Sequence, residues 1–293
     1  MASNATCPWC GLPVPPQQVT CPHCGAPIDV RQERTESGWL ELPPIRDMAR
    51  LQFGQSSVQV EGAYVPVADC NLAAQDWVYF THHLLLWRDP TVQIQVMKIG
   101  GWKRMFAGLP LIMTQAQGPG HIAFSRDAAG EMVALPLQPG QGVDVREHAF
   151  LVATGSVEYG YFQSNVWWAT RNGDDTEYHY PMGQFMDRFV ARQQPGLLLL
   201  HAPGNAFVRT LAQGEAMLIK PTALLYKDPS VGTQLHLEYP GGDAWSPWGR
   251  WANRYLWLSV FGPGRVAVHS AYDKLEDNGG SIYRMSTATQ QQW

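Results

Sequence analysis

No stretch of this sequence approaches the roughly 18 uninterrupted apolar residues of a membrane-spanning helix. The densest run, Gly196-Leu197-Leu198-Leu199-Leu200, is stopped by His201 and Pro203. The opening segment, MASNATCPWC, has neither a basic stretch nor an apolar one, so no export signal is visible and the chain reads as soluble, intracellular and cytoplasmic. Charged residues make up only 16% of the chain, against an average of roughly 25%. With a net charge of -4, the chain as a whole lacks the electrostatic footprint of a nucleic-acid binder, although a local basic patch stays open. No G-x-S-x-G, Walker loop or H-E-x-x-H occurs, and the serines lie mostly in turns with no base paired to them. Nothing here supports catalysis, and the expectation is a protein that is not an enzyme.

Glycine and proline, by contrast, are plentiful, at 28 and 22 of 293 residues, with 45% hydrophobic residues. The hydrophobic content allows a sizeable core, and the Gly/Pro enrichment suits many short strands joined by tight turns. Period-2 alternation starts at Ser57-Val58-Gln59-Val60 and recurs to Val268, while windows of helical period are few. The best helix candidate is Pro181 to Gln194, which places Met182, Phe185, Met186 and Phe189 on one face.

A 21-residue pattern occurs three times without a gap, from Leu72, Leu137 and Leu211. The copies read LAAQDWVYFTHHLLLWRDPTV, LQPGQGVDVREHAFLVATGSV and LAQGEAMLIKPTALLYKDPSV. Each begins with Leu and a turn ending in Asp, Gln or Glu. An apolar pair one residue apart follows (Val78/Phe80, Val143/Val145, Met217/Ile219), then a second apolar run closed by Asp89-Pro90, Thr154-Gly155 or Asp228-Pro229. Such repetition marks a triplicated structural unit. A second element accompanies it, seen in Gly118-Pro119-Gly120-His121, Ala202-Pro203-Gly204-Asn205 and Gly262-Pro263-Gly264-Arg265, each a Pro-Gly turn opening an alternating strand. The two elements alternate along the chain. That order predicts that the last strand, near Arg265 to Ser270, pairs with the first unit and closes a pseudo-threefold ring, removing free sheet edges. Gly118-x-Gly120-x-x-Ala123 and Gly262-x-Gly264-x-x-Ala267 satisfy a loose dinucleotide fingerprint, but strand residues follow where a helix is needed, so both are decoys.

Four of the five cysteines form Cys7-Pro8-Trp9-Cys10-Gly11 and Cys21-Pro22-His23-Cys24-Gly25. Each C-x-x-C turn sets two thiolates on one side of a tight loop, and two such knuckles complete a tetrahedral zinc ribbon. A closed four-sulfur site leaves no open coordination position, so zinc held by Cys7, Cys10, Cys21 and Cys24 is expected to be structural. His23 reads as a solvent-facing bystander and Cys70 as a small core residue. The expected organisation is a ribbon at 1–30, a linker at 31–49 carrying the polar run RQERTE, and a three-repeat β domain at 50–293.

The paired Leu-led and Gly-Pro-Gly elements, three of each, resemble the altered-inheritance-of-mitochondria family over roughly residues 50 to 272. The resemblance implies a mainly β, pseudo-threefold domain built from double-stranded β-helix repeats, similar to the subunit of the tryptophan RNA-binding attenuator. It also implies a role in membrane organisation, and it offers no catalytic residues.

Other chemistry has bland alternatives. His82 and His83, with His148 aligned to His83, read as turn or core histidines; adjacent residues on a strand point to opposite faces and do not easily share a metal. His236 and Glu238 share a strand face and read as cross-strand packing, and Asp174-Asp175 as a solvated loop tip. Of twelve tryptophans, Trp167 and Trp168 are adjacent, while Trp245, Trp248, Arg250 and Trp251 form a candidate partner surface. Aromatics beside Arg serve protein interfaces and single-stranded nucleic-acid platforms alike. The favoured reading is a non-enzymatic scaffold for a protein partner or membrane-associated assembly. A nucleic-acid-binding regulator is second, and an enzyme with a site between repeats is third.

Overall fold

The computed structural model describes residues 5–7, 12–15, 18, 20–24, 34–42, 44–45, 47–97, 113–238, 255–273 and 282–286. Among these residues the structure is mainly β, with no α-helix. The first elements are short: β1 (Ala5–Thr6), β2 (Pro13–Val14) and β3 (Leu40–Glu41). The hairpin β4 (Ala49–Phe53) and β5 (Ser56–Glu61) follows, and the alternation of SSVQVE emerges as strict alternation of buried and half-buried side chains.

The three Leu-led copies then adopt one sequence of elements. In the first copy these are β6 (Val67–Leu72), β7 (Trp77–Thr81), β8 (Leu85–Arg88), β9 (Gln93–Val96), β10 (Met113–Gln117) and β11 (Gly120–Ser125). The second copy runs through β12 (Glu131–Leu137), β13 (Gly142–Val145), β14 (Phe150–Thr154) and β15 (Val157–Gln163). After an inserted hairpin, β16 (Trp168–Asn172) and β17 (Asp175–His179), it resumes with β18 (Phe185–Ala191) and β19 (Gly196–Ala202). The third copy holds β20 (Ala206–Leu211), β21 (Ala216–Ile219), β22 (Leu224–Lys227), β23 (Gly232–Glu238), β24 (Tyr255–Phe261) and β25 (Gly264–His269); β26 (Ile282–Met285) comes last. In every copy the sixth strand lies between the first and third, and the fifth lies between the second and fourth. Two three-stranded antiparallel sheets of this order make a double-stranded β-helix.

The chain forms two compact units. The first contains 1–142, 149–159 and 189–207, and the second contains 143–148, 160–188 and 208–293. Within the first unit, β4 and β5 extend the β6-β11-β8 sheet, and a six-stranded sheet runs β12-β19-β14-β7-β10-β9. Its core gathers Leu51, Val58, Leu72, Phe80, Phe124 and Leu199, with the rings of Phe80 and Phe124 4.5 Å apart. Each such side chain contributes roughly 1.5–3 kcal/mol on full burial. In the second unit, β13, β22 and β25 are neighbours in that order, and β21-β24-β23 forms a separate sheet.

Three expectations are corrected. Pro181 to Gln194 contains no helix; its centre is β18, an inner strand of its sheet. A seven-residue strand slot with partners on both sides outweighs a helical pattern too short to stand alone. The C-terminal strand β25 pairs with β22 of its own copy and does not close a ring onto the first. Each Leu-led element is completed by the Gly-Pro-Gly strand that follows it, so the expected phase was off by one element. The second Gly-Pro-Gly counterpart, finally, is Gln194-Pro195-Gly196-Leu197, because Pro203-Gly204 lies in the turn between β19 and β20.

Side-chain geometry supports this reassignment. A Cβ placed on Gly120, Gly196 or Gly264 would sit 2.7 Å from the hydroxyl of Thr91, Ser156 or Ser230, the same position of the three copies. No side chain fits there, so the turn that opens every sixth strand needs glycine. The second copy also breaks the Asp-Pro pattern with Thr154-Gly155. A Cβ on Gly155 would overlap the indole of Trp77, which lies over that turn.

Candidate metal centre

The hairpin of β1 and β2 pairs Ala5 with Val14 and Thr6 with Pro13, and the Cys7 N–H donates to the Leu12 carbonyl at 2.9 Å. These bonds join the strands on either side of the first C-x-x-C pair and fix Cys7 at the end of β1. The second is a turn at 22–24 that returns Cys24 toward Cys21. The Sγ atoms of Cys7, Cys21 and Cys24 all lie within 4.8 Å of one another, and those of Cys7 and Cys24 are 3.8 Å apart. A disulfide needs about 2.05 Å, whereas a tetrahedron with metal–sulfur bonds of about 2.3 Å has edges of roughly 3.8 Å. Three soft donors at that spacing can hold a metal ion. Cys7 and Cys21 are buried at 1% and 0% exposure, and Cys24 is half-buried. Cys10 lies outside the described residues. His23 is exposed beside the cluster. The Cys24 carbonyl accepts the Arg50 N–H at 2.9 Å, and its side chain packs against the core of the first unit, so the cysteine cluster is attached to β4. Further along, Leu42 N–H donates to the Ala206 carbonyl at 2.8 Å, which anchors the expected linker, 31–49, within its length.

Among the described residues, the remaining candidates do not assemble into one site. Trp245, Trp248, Arg250 and Trp251 lie outside the described residues. His82 and His83 are in a single 3-10 turn, not on a strand, and His148 takes a left-handed backbone (φ 68°) at the corresponding turn of the second copy. His236 faces Trp257 across the sheet, and Glu238 accepts the Trp257 indole N–H at 2.7 Å, the cross-strand packing expected of them. Asp174 and Asp175 are exposed at the β16–β17 turn. Trp168 stacks on His179 at 5.0 Å and Trp167 meets Tyr178 edge-on, so both tryptophans pack against the inserted hairpin. Cys70 is buried in β6, and burial, followed by the nearby Asp69 charge, pushes its thiol pKa far up.

The polar side chains of the repeat frame serve its turns. Asp89 and Asp228 each accept a backbone N–H through Oδ2, from His121 and Arg265, at 2.8 Å in both cases. Thr154 does the same for Leu197 at 3.0 Å. At the leading turn, Gln141 accepts the Gln138 N–H at 2.9 Å and Glu215 accepts the Ala212 N–H at 2.8 Å. That bond, then Arg209, holds the Glu215 carboxyl below its ordinary pKa. Asp76, one methylene shorter than Glu215, works through a relay. Ala73 N–H donates to Ser56 Oγ at 2.8 Å, and that hydroxyl donates to Asp76 Oδ2 at 2.6 Å.

Two further features escaped the sequence reading. A cavity of about 440 Å³ in the first unit is lined by Gln52, Gln75, Trp77, Gln138 and Gln194, and among the described residues Asp76 is its one titratable side chain. In the second unit Asp144, fully buried, accepts from Arg188 Nε at 2.6 Å, Arg188 Nη2 at 2.9 Å and Lys227 Nζ at 3.0 Å. Lys227 is itself buried, and desolvation lowers its pKa despite the Asp144 charge beside it. The signal in the sequence was an acid, Asp144, at a strand position where the other copies carry Tyr79 and Leu218.

Among the described residues, no helix is long and apolar enough to cross a membrane. The family described as mitochondrial biogenesis AIM24 matches residues 58–271. Among solved structures, protein SPYM3_0169 from Streptococcus pyogenes superposes with a TM-score of 0.54 at 19% identity, covering 74% of this chain and 94% of that one. At that identity the likeness is one of fold. No curated protein matches the chain.

Proposed function

Since the chain belongs to the mitochondrial biogenesis AIM24 family, we propose that it is a non-enzymatic binding or assembly scaffold whose N-terminal cysteines hold a structural zinc ion. The observation that carries this reading is the use made of its recurring polar residues. Asp76, Asp89, Gln141, Thr154, Glu215 and Asp228 each bond a nearby turn or strand amide, or a hydroxyl that does so. An active site needs titratable groups converging on a reacting atom, and the cavity of the first unit offers one carboxylate, which accepts from Gln55 N–H and Ser56 Oγ. Zinc fits the donor set because it accepts closed thiolate tetrahedra and performs no redox chemistry with them.

The test is capture from native lysate by the full, metal-loaded chain, analysed for protein and RNA across a salt titration. A scaffold retains a defined protein or membrane-associated partner as salt rises. RNA capture that collapses by about 10³-fold or more between 50 and 200 mM salt would replace this reading with a nucleic-acid regulator. Elemental analysis should find one zinc per chain, and a chain lacking bound metal when purified in zinc would remove the metal assignment.

A further inference from the structure

Neighbouring copies are joined by one rule. The third strand of a copy pairs antiparallel with the second strand of the copy before it. In the first unit β14 pairs with β7, matching Val152 with Phe80 and Ala153 with Tyr79. In the second unit β22 pairs with β13, matching Tyr226 with Val145 and Lys227 with Asp144. Counted from Leu72, Leu137 and Leu211, these are the same positions at both junctions, so the register is conserved as well as the strand choice.

Three copies in one chain leave that rule unsatisfied twice. Among the described residues, the third strand of the first copy, β8, pairs with β11 on one side only, and the second strand of the third copy, β21, pairs with β24 on one side only. Burial follows the pairing. β14 and β22 are buried along their whole lengths, whereas in β8 Leu86 and Trp87 are 52% and 43% exposed. β13 is buried from Val143 to Val145, whereas in β21 the central Leu218 is 43% exposed. The fourth strands β9, β15 and β23 are sheet edges in all three copies, so exposure there is a property of the repeat. Among the described residues, β8 is the one third strand and β21 the one second strand left at a sheet edge; β12, a first strand, is also an edge, but first strands take no part in the junction rule.

We propose that β21 of one chain pairs with β8 of a second copy, with Leu218 opposite Arg88 and Ile219 opposite Trp87. Among the described residues neither edge has a second strand partner, each is the counterpart of strands that pair at the two existing junctions, and the strand type found at both junctions is one this chain itself carries. The contact is heterologous, since the two surfaces differ. It therefore propagates head to tail into a closed ring or an open filament. It buries apolar side chains that an edge strand normally protects with charge. The inference deepens the scaffold reading by naming one partner as the chain itself; a monomer that still captures other partners would end this inference and leave the scaffold standing.

Two full-length single variants, Leu218→Cys and Arg88→Cys, test it directly. Opposed strand residues place their Cβ atoms about 4.5–5.5 Å apart, close enough for a disulfide after slight adjustment. Mixed under mild oxidation, the two chains should give a reducible covalent dimer well above the background of either variant alone. Unmodified chain should sediment at no less than twice the chain mass, and Leu218→Lys should reduce that to the monomer without loss of β-sheet circular dichroism. The proposal is overturned if unmodified chain sediments as a monomer. It is also overturned if the mixture gives no dimer above background, or if a chain carrying both Leu218→Cys and Arg88→Cys forms only an internal cross-link in a monomer.

Discussion

Asp144→Asn removes one charge from the interior of the second unit while keeping the shape of the side chain. Asp144 has no exposed surface and bonds Arg188 twice and Lys227 once, at 2.6, 2.9 and 3.0 Å. Stranding a buried charge by removing its partner costs roughly 3–5 kcal/mol. Arg188 retains 26% side-chain exposure and can recover hydration, whereas Lys227 has 6% and cannot. The loss therefore falls near the lower end, about 3 kcal/mol, a large share of the roughly 5–15 kcal/mol that stabilises a typical domain. Lys227→Met in the same background removes the stranded ammonium and should restore about 2 kcal/mol. The two changes then couple by well over the roughly 0.5 kcal/mol expected of independent sites. Urea unfolding followed by circular dichroism gives the four corners of this cycle. If Asp144→Asn shifts stability by less than about 0.5 kcal/mol, or the two changes simply add, the cluster is hydrated in solution and the reasoning from burial fails.

Other predictions address the metal and the pH response. Cys7→Ser should release the ion, read by a colorimetric chelator, and lower the first melting transition only slightly, because β4 keeps its pairing with β5 when Cys24 loosens; collapse of the whole β body would refute that division. His201 is buried with Nε2 3.0 Å from the Ala128 carbonyl, and desolvation, with a smaller contribution from Arg126, lowers its pKa. The unfolded chain therefore binds the extra proton first as pH falls below about 6.5. Stability contributed by the neutral ring is present above that pH and lost beneath it down to the folded pKa. A melting temperature that His201→Gln makes less sensitive to pH between 6.5 and 5 is the expected outcome, and an unchanged profile would contradict it.

Much of this architecture can be read from the residues, because repetition and alternation are local. Leu72, Leu137 and Leu211 each end the first strand of a copy, and the apolar pairs that follow lie on second strands as their spacing implies. What was not legible depends on contacts far apart in sequence. Pro195-Gly196 and Pro203-Gly204 are the same dipeptide, and contacts distant in sequence, from Leu197 N–H to Thr154 Oγ1 and from Gly196 to Ser156, distinguish the one that opens a sixth strand. The phase of the repeat was hidden similarly, since β11 completes a sheet whose other strands begin more than thirty residues earlier. Phe185 to Ala191 has an apolar distribution compatible with helix, and its sheet partners decide otherwise. The cysteine cluster needed no such help, because C-x-x-C spacing is itself local; Cys7, Cys21 and Cys24 come together as that spacing implies.

Amide hydrogen exchange at His121, Leu197 and Arg265 tests most directly whether three equivalent frames hold this chain together by the same turn bonds. All three amides should be protected. Asp89→Ala, Thr154→Val and Asp228→Ala should each accelerate exchange at one of them, His121, Leu197 and Arg265 respectively, and leave the other two slow. An unprotected Leu197, or a Thr154→Val variant that leaves Leu197 slow while the two aspartate variants expose their own amides, would contradict the equivalence on which the account stands.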